Sequence, residues 1–401
     1  MSVQLFARSR REDFPVRPAA ATRVEIPPPA EIQRPTPKNA LRIVGPLIML
    51  AGLVAVMGVL YTAGLMRFSI FPIMMVVTYF MMFRRQGGQQ KQTWGEGEGA
   101  RQDWYNLGDV RRKMLMDAAS RQFKRAWWCH PDPADLIKYI RTPRMWERRT
   151  EISPDPSQND FGDIRLGVGV VRQKVEVAVP PLPDDPIWTE PASLAGHRKM
   201  VRTQKYVNDM PRVLSLPNMK ALALVGALDD VRGVARAMVA QLCTWHSHVD
   251  AKVMVVTADP DRWTPVMWLP HAQDPSQRDG CGERRMVFTT PKEFEDYHAA
   301  EYQKRDGWVK PQVSSPKQQQ DPRPTFWLVI DDACGTAKDW ESAAPPKGIK
   351  GVCFLRLSET VKDGLGFRTD TTYRVGNEAD ESGEIRRMIR RADVTQVGVG
   401  R

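Results

Sequence analysis

The chain has 401 residues and a formal net charge of +11, enough length for two or three domains. Its five cysteines, Cys129, Cys243, Cys281, Cys334 and Cys353, are odd in number, scattered and never spaced Cys-x-x-Cys, which argues against a disulfide framework or a zinc site and for a reducing cytosol. The basic excess is uneven: residues 1–42 hold 8 Lys/Arg against 4 Asp/Glu, residues 84–150 hold 15 against 8, and the rest from 151 is near neutral at 34 against 35, which suits an anionic membrane surface and argues against a nucleic-acid groove on the folded domain.

Residues 1–42 read as a basic, Pro-rich cytosolic arm, too polar to open on a signal peptide. Residues 43–83 predict a two-helix transmembrane hairpin. The first run, 43–66, has 24 residues without a charge, roughly 36 Å as a helix against a hydrocarbon core of about 30 Å. The second, 68–83, is an apolar run of 16 residues closed by Arg84 and Arg85. It is short, roughly 24 Å, but Arg side chains can snorkel and the bilayer can thin. Only Arg67 lies between the runs. The positive-inside rule then places both termini in the cytoplasm of a two-span protein of the inner (plasma) membrane, in contact with membrane lipid. Methionines crowd both runs, either as an adaptable helix–helix interface or as lipid-facing filler.

A stalk is expected over 84–150. Residues 86–100 (QGGQQKQTWGEGEGA) are rich in Gly and Gln and predict a loose connection. From 102 to 128, Trp104, Leu107, Met114, Leu115 and Ala118 share a helical stripe, with basic residues largely elsewhere. That basic surface is either a partner contact or a solvated face. His130-Pro131-Asp132-Pro133 predicts a turn, because each proline excludes the helical state from the residue before it. His130 has no second histidine at ligand spacing, which favours a structural role.

Residues 151–401 predict a cytosolic α/β domain. Two β-rich runs come first, IRLGVGVV from 164 and KVEVAVP from 174. Strands are then expected at 221–225, 253–257, 286–289, 326–330 and 352–357, with helices at 231–246 and 291–304. Such alternation gives a mostly parallel sheet with helices on both faces. The Pro-, Gln- and Ser-rich run 308–324 reads as an insertion before the fourth strand.

Within this domain FWLVIDDAC, residues 326–334, resembles the acidic strand of a P-loop ATPase, whose carboxylates organise Mg²⁺ and water. Its partner should be Gly-x-x-x-x-Gly-Lys-Ser/Thr, yet no Gly-Lys pair occurs in the chain. The corresponding turn begins at Gly226. There Val231 replaces the second glycine, Arg232 the lysine and Gly233 the hydroxyl residue. A β-branched valine resists the geometry that turns amides toward phosphate. Asp229 and Asp230 put negative charge where a triphosphate would sit, although as first-turn residues they would cap amides and suit the helix dipole. Gly226, Asp229, Asp230, Arg232, Asp331 and Asp332 are therefore the candidate site, read as a degenerate nucleotide site with no catalytic residue, metal or cofactor.

Several short motifs carry a family resemblance: Trp128-Cys-His130-Pro131-Asp-Pro133, Arg144-Met-Trp146-Glu-Arg148, Phe161-Gly-Asp-Ile-Arg165-Leu-Gly167-Val-Gly169, Ala240-Gln-Leu-Cys-Thr-Trp245-His246 and Trp268-Leu-Pro270-His271. Together with two apolar runs ahead of them, their order resembles the N-terminal portion of EccC, the membrane-anchored FtsK/SpoIIIE-like ATPase of mycobacterial type VII (ESX) secretion systems. The resemblance implies a degenerate ATPase-like domain after the stalk, with ATP and Mg²⁺ used by further ATPase domains downstream. It implies a core component that anchors and couples those domains to a membrane channel. It also implies EccB, EccD and EccE subunits and WXG100-type substrates as partners, no nucleic acid, and a higher-order oligomer. The competing reading is an active FtsK-like ATPase or DNA translocase.

Overall fold

The computed structural model describes residue 14, residues 22–31, ten positions between 48 and 78, and residues 94–151, 159–181, 189–309, 324–336, 338–361, 369–379 and 385–391. Most of the 43–83 region, the stretch 86–93 and the insertion core 310–323 lie outside the described residues. The expected transmembrane hairpin and two-span location are corrected here: among the described residues no helix is long and apolar enough to cross a membrane. The longest described helix, α1 (Trp94–Cys129), is 36 residues, but Asp103, Asp109, Arg111, Arg112 and Lys113 stud it, and such charges are costly in hydrocarbon. The fold class is α/β with a parallel-rich sheet.

The chain divides into two compact units. The smaller takes in residues 19–119 and 173–206. Its core joins α1 to β1 (Arg23–Glu25), β3 (Glu176–Ala178) and α2 (Pro191–Gln204). Val24, Ile26, Leu115, Ala118, Val175 and Met200 form its buried apolar cluster. Helix α1 starts earlier than expected, taking in the Gly-rich 94–100 stretch, where Arg101 pairs with Glu98. Glu190 caps α2 by accepting from the amides of Ala192 and Ser193.

The larger unit carries β2 (Asp163–Arg172) paired with β4 (Tyr206–Ser215), and a seven-stranded sheet. Four strands of that sheet are central: β5 (Ala221–Val225), β6 (Ala251–Thr257), β10 (Phe326–Asp332) and β11 (Val352–Ser358). A hairpin, β7 (Gln273–Asp279) and β8 (Gly282–Arg285), lies outside it, and β9 (Val287–Phe288), β12 (Thr371–Ala379) and β13 (Ile385–Arg391) complete it. The order is β13-β12-β5-β11-β10-β6-β9, parallel throughout except for the antiparallel β12–β13 pair.

Every residue of β5, β10 and β11 is buried, which is why these strands read as continuous apolar runs rather than alternating ones. Helix α3 (Leu228–Trp245) covers one face through Val231, Val234, Met238 and Leu242, beside Leu328 and Ile330 of β10. The other face packs Phe294 of α4 (Pro291–Tyr302) with Trp327 and Val329. Successive strand residues thus point to opposite layers, and this decides how the acidic end of β10 is used.

Candidate functional site

The candidate residues gather at the carboxyl ends of the parallel strands, the edge where open α/β sheets bind ligands. β5 ends at Val225, and the Gly226 amide donates to the Ser358 carbonyl at 3.0 Å. A Cβ on Gly226 would lie 2.3 Å from the Val375 carbonyl oxygen of β12. Glycine is needed here because β12 passes close by. Helix α3 then opens on Ala227, which supplies no side-chain cap.

Asp229 and Asp230 occupy the first turn of α3, yet neither caps it through its side chain. Asp229 accepts from Arg262 Nη1 at 2.8 Å and lies 3.7 Å from Arg232. Asp230 is bonded by Arg387 of β13 and by Asn377 Nδ2 of β12 at 3.2 Å. The expected capping role is therefore a pairing role, although the helix dipole still favours both carboxylates.

Asp332 is the buried centre of the site. Its Oδ1 accepts from Arg232 Nε at 2.8 Å, and its Oδ2 accepts from Thr257 Oγ1 and Trp263 Nε1, both at 2.9 Å. The bond to Asp332 raises the Arg232 pKa further above its ordinary value. Arg232 and the acidic end of β10 thus neutralise each other inside the protein. Three donors, one of them charged, thus engage this buried carboxylate.

Asp331 belongs to the opposite layer, as the alternation requires. Its Oδ2 accepts from Arg356 Nη1 at 2.6 Å, across the β10–β11 register that sets the two residues side by side. Its Oδ1 accepts from the Cys334 amide at 2.9 Å. That bond secures the turn in which Ala333 takes a left-handed conformation, φ 51°, a strained one for a residue with a Cβ. Burial pushes the Asp331 carboxyl up to about 7, against the opposing pull of Arg356. Of the six candidates, Gly226, Asp229, Asp230, Arg232 and Asp332 come together, and Asp331 faces away from them.

Several participants were missed from the sequence. Arg356 interrupts the apolar run VCFLRLS, and a charge inside a buried strand was a usable sign that an acid faces it. Thr257, Trp263, Arg262 and Arg387 gave no local signal, because only the fold brings them near α3.

A second polar cluster occupies the other end of α3. Arg148, fully buried, pairs with Asp160 at 3.2 Å and donates to the carbonyls of Asp163 and Cys129. It also lies 3.3 Å from His130 Nδ1, so His130 sits in a structural contact. Arg144 pairs with Glu147 at 2.9 Å, with its guanidinium 3.7 Å over the Trp128 ring. His246 donates from Nδ1 to the Leu242 carbonyl at 2.9 Å and accepts at Nε2 from the Gly162 amide at 2.8 Å, the geometry of a neutral imidazole. Its carbonyl accepts from His271 Nε2 at 2.8 Å. Burial, with Arg148 nearby, pushes His246 down to about 3, and burial pushes His271 down to about 4.

No family model matches the chain. It is 30% identical over 398 residues to the ESX-5 secretion system protein EccC5 of Mycobacterium tuberculosis, covering 98% of this chain and 27% of that protein. It is 32% identical over 291 residues to the ESX-4 secretion system protein EccC4 of the same organism (71% of this chain, 23% of that one). The ESX secretion system protein EccC of Thermomonospora curvata is 28% identical over 370 residues, 90% of this chain and 26% of that protein. The chain thus spans about a quarter of the length of these curated relatives. Among solved structures, the cytoplasmic domain of the Thermomonospora curvata Type VII Secretion ATPase EccC aligns over 46% of this chain and 25% of that one, at 9% identity and a TM-score of 0.31, too weak an overlay to argue from.

Proposed function

The chain belongs to the EccC family of ESX secretion proteins, and from that premise we propose that its parallel-sheet domain is a non-hydrolysing member of a type VII secretion ATPase. It would relay nucleotide-driven movement from further ATPase domains of such a protein to the rest of the secretion complex. The observation that carries this reading is the buried Arg232–Asp332 ion pair at 2.8 Å. It joins the two positions that an active site of this fold would turn toward triphosphate and Mg²⁺. Asp229 and Asp230 add fixed negative charge at the helix N-terminus, where phosphate would otherwise bind. An internal ligand of this kind makes the domain rigid without nucleotide, as a coupling element requires. ATP and Mg²⁺ would then serve other domains. EccB, EccD and EccE subunits and WXG100-type substrates are the proposed company of the assembled protein.

The test uses Arg232→Gln and Asp332→Asn in the whole secretion protein. Export of substrate should fall at least about tenfold while ATP hydrolysis by the purified protein stays within about twofold of the unsubstituted rate. Hydrolysis falling in step with export would place chemistry at this edge and defeat the reading.

A further inference from the structure

Residues 22–31 lie far ahead of α1 in sequence, yet Val24 and Ile26 join its Leu115 and Ala118 in the core of the smaller unit. β1 pairs with β3 in parallel, and the register sets Arg23 beside Glu176 and Val24 beside Val177. The Glu176 amide donates to the Thr22 carbonyl at 2.9 Å, and the Ile26 amide to the Ala178 carbonyl at 3.0 Å. Val24 and Ile26 are 3% and 0% exposed, with Arg23 and Glu25 turned outward.

The chain continues as Pro27-Pro28-Pro29, whose rings fix an extended backbone. Pro27 and Pro29 are buried and Pro28 is exposed. The Pro27 carbonyl accepts from Trp104 Nε1 of α1 at 3.3 Å and from His197 Nδ1 of α2 at 3.1 Å. The Ala30 amide donates to Ser193 Oγ at 3.0 Å, and the Ala30 carbonyl accepts from the Glu190 amide at 2.8 Å. His197 is itself 2% exposed, and its Nε2 has no partner among the described residues. The imidazole thus turns its Nδ1 to the proline carbonyl.

These contacts are those of peptide recognition. Backbone bonds run along the segment, pockets take alternate apolar side chains, and an indole donor meets a proline-fixed carbonyl. Residues 32–93 intervene before α1 begins, so no short turn forces the segment into place. Its own contacts hold it there.

We propose that residues 22–31 are a separable strap, a built-in extended ligand whose docking completes the smaller unit. The groove between α1, β3 and α2 is then a binding surface for an extended peptide of the Val-x-Ile-Pro type, with the chain's own segment as its occupant.

The experiment uses the full chain with a protease recognition sequence inserted between Lys38 and Asn39. After cleavage, the N-terminal fragment should remain bound through gel filtration. The Ile26 amide should exchange at least about 100-fold more slowly than an unprotected amide. A synthetic peptide of residues 20–33, at about 50-fold excess, should displace the fragment by mass action. The same peptide carrying Val24→Asp and Ile26→Asp should not. The proposal is overturned if the fragment separates on cleavage and leaves the thermal unfolding of the remainder unchanged, or if the two peptides compete equally. Because the groove itself is unmutated throughout, a folding failure cannot mimic either result.

Discussion

The two ends of α3 both bring arginines to acids, yet they use them differently. At its carboxyl end, Arg148 is fully buried and divides its donors between Asp160 and two backbone carbonyls. That arginine replaces backbone partners the chain cannot supply locally, which is structural work. At the amino end, Arg232, Arg262 and Arg387 all pair with carboxylates of the candidate site. There the arginines and aspartates neutralise each other at the sheet edge where related folds hold a ligand. An arginine's role is therefore read from its acceptors, and the motifs carrying the family resemblance mostly describe the structural end.

The sharpest way to break this contrast is Arg148→Ala. It strands a buried Asp160 carboxylate and two carbonyls, and should destabilise the larger unit by about 3–5 kcal/mol, read by denaturant unfolding. A loss under about 1 kcal/mol would show that the cluster is solvated and that its burial means little.

Acid should separate, by sign, the histidines at the carboxyl end of α3 from Asp331 in the opposite layer of the sheet. His246 and His271 have folded pKa values below the unfolded 6.5, so their contribution is present above that value and is lost as pH falls through 6.5 toward about 3 and 4. By pH 5 each should have cost about 2 kcal/mol. Asp331 runs the other way. Its folded value, about 7, is above the ordinary 3.8, so its contribution is full below 3.8 and is lost as pH rises toward 7. It should return about 2 kcal/mol between pH 7 and pH 5. Unfolding curves at pH 7, 6 and 5 should therefore show Asp331→Asn losing stability more steeply than the unsubstituted chain. Parallel pH profiles would contradict the burial of Asp331.

Gly226→Ala should cost about 1–3 kcal/mol through its clash with the Val375 carbonyl. The loss should be the same with and without Mg·ATP in a thermal shift assay. Asp229→Ala should change stability by less than about 1 kcal/mol, because its carboxylate is 80% exposed where it meets Arg262. The same assay checks it.

Much of the central sheet was legible because its strands are continuous apolar runs. The expected 221–225 strand matches β5, and the expected 253–257, 326–330 and 352–357 strands fall within two residues of β6, β10 and β11. The strands that escaped notice are polar. YVNDMPRVLS in β4 and IRRMIRR in β13 have no apolar run and take their form from a neighbour. β1 was hidden inside a Pro-rich arm, where its only sign was Val24 and Ile26 two residues apart. At the candidate site the sequence singled out Gly226, Asp229, Asp230, Arg232 and Asp332, which the fold does bring to one edge of the sheet. Asp331 was placed in that site with Asp332, and strand alternation turns it to the opposite layer instead. The partners of these residues were not legible, since Trp263, Thr257 and Arg387 meet α3 only through the sheet order.

The central claim, that Arg232 and Asp332 close this edge against nucleotide, is tested most directly by isothermal titration of the purified chain with Mg·ATP. No saturable binding is expected at concentrations up to about 1 mM. Saturable Mg²⁺-dependent binding at about 10 μM, abolished by Asp332→Ala, would contradict it.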